Sequence, residues 1–392
     1  MESFGTLAGC GLMMAAVIAT AGLFARHNSF YRRELADTAG RELSLDGLRG
    51  LAALMVAVHH AAVCRIWLNT GEWSDAGAWL PQIFGPAGVI LFFMLTGHLF
   101  WSKARAAKGW LNPLRLWRGR IFRIAPLYLF SLLLILLAAT VDVGGQWLSS
   151  ANWPSLLRLL GLGVWQWHAA GPLYPGEYNA NVIWTLWFEW RFYFLLPFIA
   201  WLALGRKIAG LSPALFVFVA AGLYLDLHEP AGLYFILGMI CSELTQAQPV
   251  RARLQTPVAA TVALLTVVML CCLTRRLTPV TGPSDLLALS CLPMFLVVAA
   301  GNTLFGLLIR PAIRCLGAMS FSLYLLHGIV FMFVGRELKR FNLNHLSPLE
   351  FWSGFTIVAV LTASLCAATY RWIEFPFLST SHKSRDVAKP AD

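Results

Sequence analysis

The chain has 392 residues, 58% of them apolar and only 12% charged, with a mean hydropathy of +0.67; a soluble domain carries about twice that charged share. This excludes a soluble globular enzyme and predicts an all-α polytopic membrane protein. The net charge of +11 does not point to nucleic acid, because no Lys/Arg run interleaves with aromatics in a polar segment; it suits basic residues retained on one side of a bilayer.

Apolar runs predict about 10–11 transmembrane helices, at 4–24, 45–64, 84–101, 121–141, 182–204, 211–227, 231–244, 257–273, 286–304, 316–334 and 351–370. The run at 154–167 is about half the usual length and reads as one short re-entrant or interfacial helix. Residues 1–44 then form an extra N-terminal membrane helix with its connection. Residues 45–378 form the main membrane domain, and 379–392 a disordered polar tail. The first run lacks a basic n-region and is followed by positive charge, so it is expected to be a helix rather than a cleaved signal. The 8 cysteines include no CxxC pair and read as small packing residues; no metal site is expected.

The helix at 45–64 carries the first chemistry. Asp46 and Arg49 lie near its start, and His59 and His60 near its end. Arg49 and His60 are eleven positions apart, three turns plus about 20°, so they share a face at roughly 16 Å separation. Ionisable groups within a membrane are costly and are functional candidates by default. One face thus offers an anion-holding end and a proton-handling end. The plainer reading makes Arg49 a snorkelling anchor and His60 a polar helix end. His59, about 80° off that face, reads as packing.

The helix at 121–141 is entered by Arg118, Arg120 and Arg123. Arg120 and Arg123 are i, i+3 and share a face; paired guanidinium forks suit phosphate groups. Basic anchoring explains arginines here, but not two aligned ones running into an apolar helix. The outer loop at 165–181 holds Trp165, Trp167, His168, Tyr174, Glu177 and Tyr178, which suit a sugar face or an interfacial aromatic belt.

The helix at 182–204 opens Trp184-Thr185-Leu186-Trp187-Phe188-Glu189-Trp190-Arg191. Glu189 and Arg191 point about 200° apart, so Glu189 needs a partner on another helix. It reads as a counter-ion or an acid/base group. In the helix at 316–334, Ser320, Tyr324 and His327 make a polar strip, either interhelical glue or chemistry. Arg371 and Glu374 close the last span, with Glu374 available to an inner arginine. Placing the N-terminus outside and the C-terminus in the cytoplasm puts most of the 30 Lys+Arg on the inner side.

Taken together, the elements LDGLRGLAALMVAVHH, GVILFFMLTG, RGRIFRIAPLY, WTLWFEWRFYFLLP, SFSLYLLH and RWIEFP resemble, in kind and order, the integral-membrane acyltransferase family three, whose members O-acylate extracytoplasmic glycans. The resemblance implies a bacterial inner-membrane O-acetyltransferase. It implies acyl-CoA, usually acetyl-CoA, as the donor substrate from the cytoplasm, and a carbohydrate hydroxyl as acceptor outside. Arg49, Arg120 and Arg123 would grip the CoA phosphates. His60 would act as general base or carry the acyl group, with Asp46 or Glu189 orienting it; Tyr324, His327 and Trp184 would support the substrate. Ile90, His98 and Ala125 stand where many members carry Asp, Phe and Tyr. The rival class, a secondary transporter or translocase of a lipid-linked sugar or small solute, predicts inverted repeats and paired broken helices, and the sequence shows neither. A purely structural membrane subunit leaves the aligned arginines unexplained. The expected partners are the glycan and membrane lipid.

Overall fold

In a computed structural model, the protein is described over residues 2–74, 79–143, 153–165, 176–205, 231–277, 284–343 and 345–378. The described residues form helices and no strand. In chain order these are α1 Glu2–His27, α2 Ser29–Ala36, α3 Leu43–Thr70, α4 Trp79–Ala106, α5 Pro113–Val143, α6 Trp153–Leu160, α7 Gly176–Asn179 and α8 Trp184–Leu204. They continue as α9 Ala231–Leu244, α10 Gln248–Leu254, α11 Pro257–Leu277, α12 Asp285–Ala299, α13 Pro311–Ala318, α14 Ser320–Arg340 and α15 Pro348–Thr369. A wide π-type turn, Tyr370–Glu374, ends the last span.

Six helices are long and apolar enough to cross a membrane, or seven if α10 and α11, bent by 72° at their junction, make one span. The difference from the sequence expectation has physical causes. Helices α9 and α12 have 14 and 15 residues, about 21–23 Å at the helical rise, short of a ~30 Å hydrocarbon core. Helix α8 reaches 21 residues, but Glu189, Arg191 and three tryptophans dilute its first half. The expected span at 211–227 and the tail at 379–392 lie outside the described residues. The expected span at 316–334 begins as a separate short helix: Pro311 starts α13, and Met319 interrupts the ladder before α14. The short run near 154–167 is indeed a short helix, α6. It is tied to α5 by Tyr128 Oη donating to the Leu159 carbonyl at 2.7 Å, and to α8 by Trp190 Nε1 donating to Leu162 at 2.8 Å.

Helix α3 is the hub, packed against α4, α13 and α14. It reaches these neighbours through glycines that let backbones touch. A Cβ on Gly47 would collide with the Leu308 carbonyl, and one on Gly50 with the backbone of Gly317 and Ile313. Helices α4 and α9 approach in the same way: Gly97 lies against the Phe235 backbone and Gly238 against the Met94 backbone. Small residues at crossings are how helices associate where apolar burial gives no net drive. Helix α1, expected as an extra N-terminal helix, is no loose appendage. It packs along α15 and α13, with Gly9 fitted under the Trp352 indole. Its continuation α2 is stapled down by Tyr31 Oη donating to the Ala367 carbonyl at 2.7 Å.

Candidate active site

Two polar centres lie at opposite ends of α3. At the first, Asp46 accepts from Arg41 Nε at 2.9 Å and lies 3.6 Å from Arg49 Nη1. Arg41 also pairs with Glu34 of α2 at 3.0 Å, and Glu34 accepts from Tyr370 Oη at 3.1 Å. A chain of alternating charges, Glu34–Arg41–Asp46–Arg49, thus runs from the added N-terminal unit into α3.

Arg49 lies within electrostatic reach of both Arg120 and Arg123, so the three arginines singled out in the sequence lie toward one end of the bundle. Their availability differs. Arg123 donates to Glu374 Oε2 at 3.0 Å, with Glu374 only 2% exposed. Ser322 also donates to Glu374 and accepts from Thr369 at 3.0 Å. Glu374 is the last residue of the π-type turn at Tyr370–Glu374, and its side chain is buried. Arg120 has no carboxylate within ion-pair distance among the described residues; its guanidinium lies over the rings of Phe100 at 4.8 Å and Tyr193 at 5.5 Å. Glu189 accepts from Tyr193 Oη at 2.7 Å and faces Arg120, Arg123 and Arg49 electrostatically. It therefore joins the arginine centre. Trp117 Nε1 donates to the Tyr193 carbonyl at 3.0 Å and fixes α5 against α8. Arg191 takes no part: it stacks over Trp187 at 4.4 Å.

At the far end of α3, His60 Nδ1 lies 2.8 Å from His327 Nε2, with the rings stacked at 5.0 Å and 24°. His327 is fully buried. Its Nδ1 lies 2.7 Å from the Leu323 carbonyl, which can only accept. His327 Nδ1 therefore carries a hydrogen, and in the neutral ring Nε2 is an acceptor. His60 Nδ1 must then be the donor between the rings, which leaves the lone pair of His60 on Nε2. The proton positions follow from this network, and they give His60 the tautomer a general base needs.

This corrects one expectation. Asp46 is fourteen residues from His60, about 21 Å along α3, and Glu189 is among the arginines; neither carboxylate orients the imidazole. His327 does. Tyr324, expected near the substrate, has its hydroxyl engaged at 3.0 Å with Thr185 and donating to the Val182 carbonyl at 3.1 Å. It braces the start of α8. Trp184 packs edge-on against Phe188 and Phe93. His59 is buried, with Nδ1 2.9 Å from the Pro81 carbonyl. His98 is buried with its Nε2 3.6 Å from Glu42, so it belongs to the start of α3 and not to the imidazole pair. Of the expected outer aromatics, Trp167, His168 and Tyr174 lie outside the described residues.

Sequence reasoning missed the His60–His327 pair because nothing in a sequence relates residues 267 positions apart. The available hint was an imidazole inside an apolar helix with no local carboxylate. It also missed Arg41 and Glu34, which looked like ordinary surface charges, and Trp73, whose ring stacks 6.2 Å from His60.

Among the described residues no His/Cys/Asp/Glu group is arranged to hold a metal ion. A family model for an acyltransferase domain matches residues 42–371. No curated protein and no solved structure matches the chain.

Proposed function

The chain belongs to acyltransferase family 3, and from that membership we propose a specific reaction: transfer of an acetyl or short acyl group from acyl-CoA to a hydroxyl of a carbohydrate. The carrying observation is the imidazole pair at one end of α3 with a guanidinium cluster at the other. Arg120 and Arg49 are the arginines with capacity left for CoA phosphates; Arg123, held by Glu374, shapes the rim. Roughly 16 Å of α3 separates Arg49 from His60, a length suited to an extended pantetheine arm. The reading places the arginine end in the cytoplasm of a bacterial inner membrane, with the N-terminus outside, in keeping with the basic residues gathered at that end.

His60 Nε2 removes the acceptor hydroxyl proton as the oxygen attacks the thioester carbonyl. The C–S bond then breaks, and the proton on Nε2 passes to the departing thiolate. In the covalent version His60 Nε2 itself attacks the thioester and expels the thiolate; the acceptor oxygen then attacks the acyl-imidazole, its proton passes to that thiolate, and the N–C bond breaks to free Nε2. In both, His327 holds the imidazole by accepting from Nδ1, the task that a carboxylate performs in other triads.

The test is a purified, detergent-solubilised protein given radiolabelled acetyl-CoA and candidate glycans. His60→Ala is expected to lower transfer by about a hundredfold or more while the protein still binds acetyl-CoA. Full transfer by that variant removes His60 from the reaction.

A further inference from the structure

Beyond the imidazole pair lies a ladder of rings that the reaction above does not use. Trp73, 38% exposed, stacks over His60 at 6.2 Å and 25°. Trp67 meets Trp73 edge-on at 6.3 Å. Lys339 Nζ sits 3.7 Å above the Trp67 ring, and among the described residues no carboxylate pairs with it. Gly335 lets Trp67 press against α14, since a Cβ there would be 2.8 Å from the indole. Beside this ladder Arg336 covers the Tyr178 ring at 4.1 Å. The next residue, Asn179, is 1% exposed, and among the described residues neither its amide nitrogen nor its side-chain oxygen finds a partner. The Asn179 backbone lies against Gly328, the neighbour of His327.

These features have one chemistry in common. Flat apolar ring faces suit the C–H face of a pyranose. A buried carboxamide with both arms unused is costly and matches a ligand hydroxyl, which can donate and accept. A lysine held over an indole, without a carboxylate, keeps its hydrogen-bond donors for an anion. Resting on the acyltransferase reading, we propose that this ladder is the acceptor subsite and that it selects an acidic saccharide. One sugar ring lies on Trp73, with its hydroxyl toward His60 Nε2, Asn179 beside it and the acidic group of the chain at Lys339. A neutral glycan would gain the rings but not the ammonium.

The experiment measures binding first, without any acyl donor. The full chain in lipid nanodiscs is titrated with a glucuronate-containing oligosaccharide, its carboxyl-reduced neutral counterpart and a phosphorylated sugar, followed by tryptophan fluorescence and calorimetry. The expected result is at least about tenfold tighter binding of a charged form over the neutral one, weakening as salt screens the contact. Comparing the two acids shows whether carboxylate or phosphate is preferred. Lys339→Gln is expected to erase the preference by bringing the charged forms down to the affinity of the neutral one, with Lys339→Arg restoring it. Trp73→Ala is expected to weaken all three ligands, and Trp73→Phe to recover part of the loss. Equal affinity for charged and neutral forms in the wild type, or a preference that survives Lys339→Gln in a normally folded protein, overturns the proposal. Selective sugar binding with no acyl transfer from any acyl-CoA overturns the transferase reading and leaves the subsite standing.

Discussion

His327 and Arg123 show how two buried groups of similar appearance differ in consequence. His327 accepts from His60 and touches no charge among the described residues. His327→Gln retains an oxygen that can accept from His60 Nδ1, whereas His327→Ala frees the ring. The expectation is a fall in kcat of about tenfold or more for the alanine variant, about 1.4 kcal/mol of barrier. The KM for acetyl-CoA should stay unchanged, and glutamine should restore part of the rate. Arg123→Ala strands the Glu374 carboxylate, which is 2% exposed, and such an uncompensated charge costs about 3–5 kcal/mol. Its first readout should be a lower thermal-unfolding midpoint. Among the described residues Arg120 leaves no carboxylate stranded at hydrogen-bond distance. Arg120→Ala is therefore expected to keep the unfolding midpoint and lose acyl-CoA affinity, by about ten- to a hundredfold for a charge-assisted contact of about 1.5–3 kcal/mol. A calorimetric titration that found undiminished affinity would remove Arg120 from donor binding.

At the scale of elements, the helix crossings and the N-terminal addition govern the site. Gly97 and Gly238 sit against each other's helices, α4 and α9. Gly97→Val forces the backbones apart, and overpacking of this kind costs about 1–3 kcal/mol. A clear drop in midpoint with normal membrane insertion is the expected outcome of a thermal scan. The N-terminal pair α1–α2 reaches the arginine centre through Glu34, which holds Arg41, which in turn holds Asp46 beside Arg49. Glu34→Gln is expected to raise the KM for acyl-CoA by several-fold and leave kcat nearly untouched; an unaltered KM would make α2 a mere clamp. Much of this level was legible in the sequence. Apolar run lengths placed α1, α3, α4, α5 and α15, and the i, i+3 spacing of Arg120 and Arg123 gave their common face. The break at Met319 was not legible, because an apolar run does not reveal where its hydrogen-bond ladder lapses. Nor was the π-type turn at Tyr370–Glu374, which carries the carboxylate paired with Arg123.

At the scale of the whole molecule, the described residues form a helical bundle with two polar centres at the two ends of one helix. The sequence placed Arg49 and His60 correctly on α3 because helical rise and rotation are fixed by geometry. Asp46, three residues before Arg49, was legible with it; the arginines of α5, Glu189 of α8 and His327 of α14 are brought in by packing, which the sequence does not show. A transporter reading needs matched broken helices in two halves; among the described residues the bent pair is α10–α11 alone.

The orientation of the His327 ring has a final consequence. Its Nδ1–H ends on a peptide carbonyl, and a carbonyl cannot take the hydrogen onward. The two imidazoles are therefore a cul-de-sac and not a wire. Whatever His60 accepts on its outward nitrogen has to depart by that same nitrogen, with no traffic through His327; in the proposed general-base reaction, the hydrogen taken from the alcohol is then the one handed to the departing sulfur.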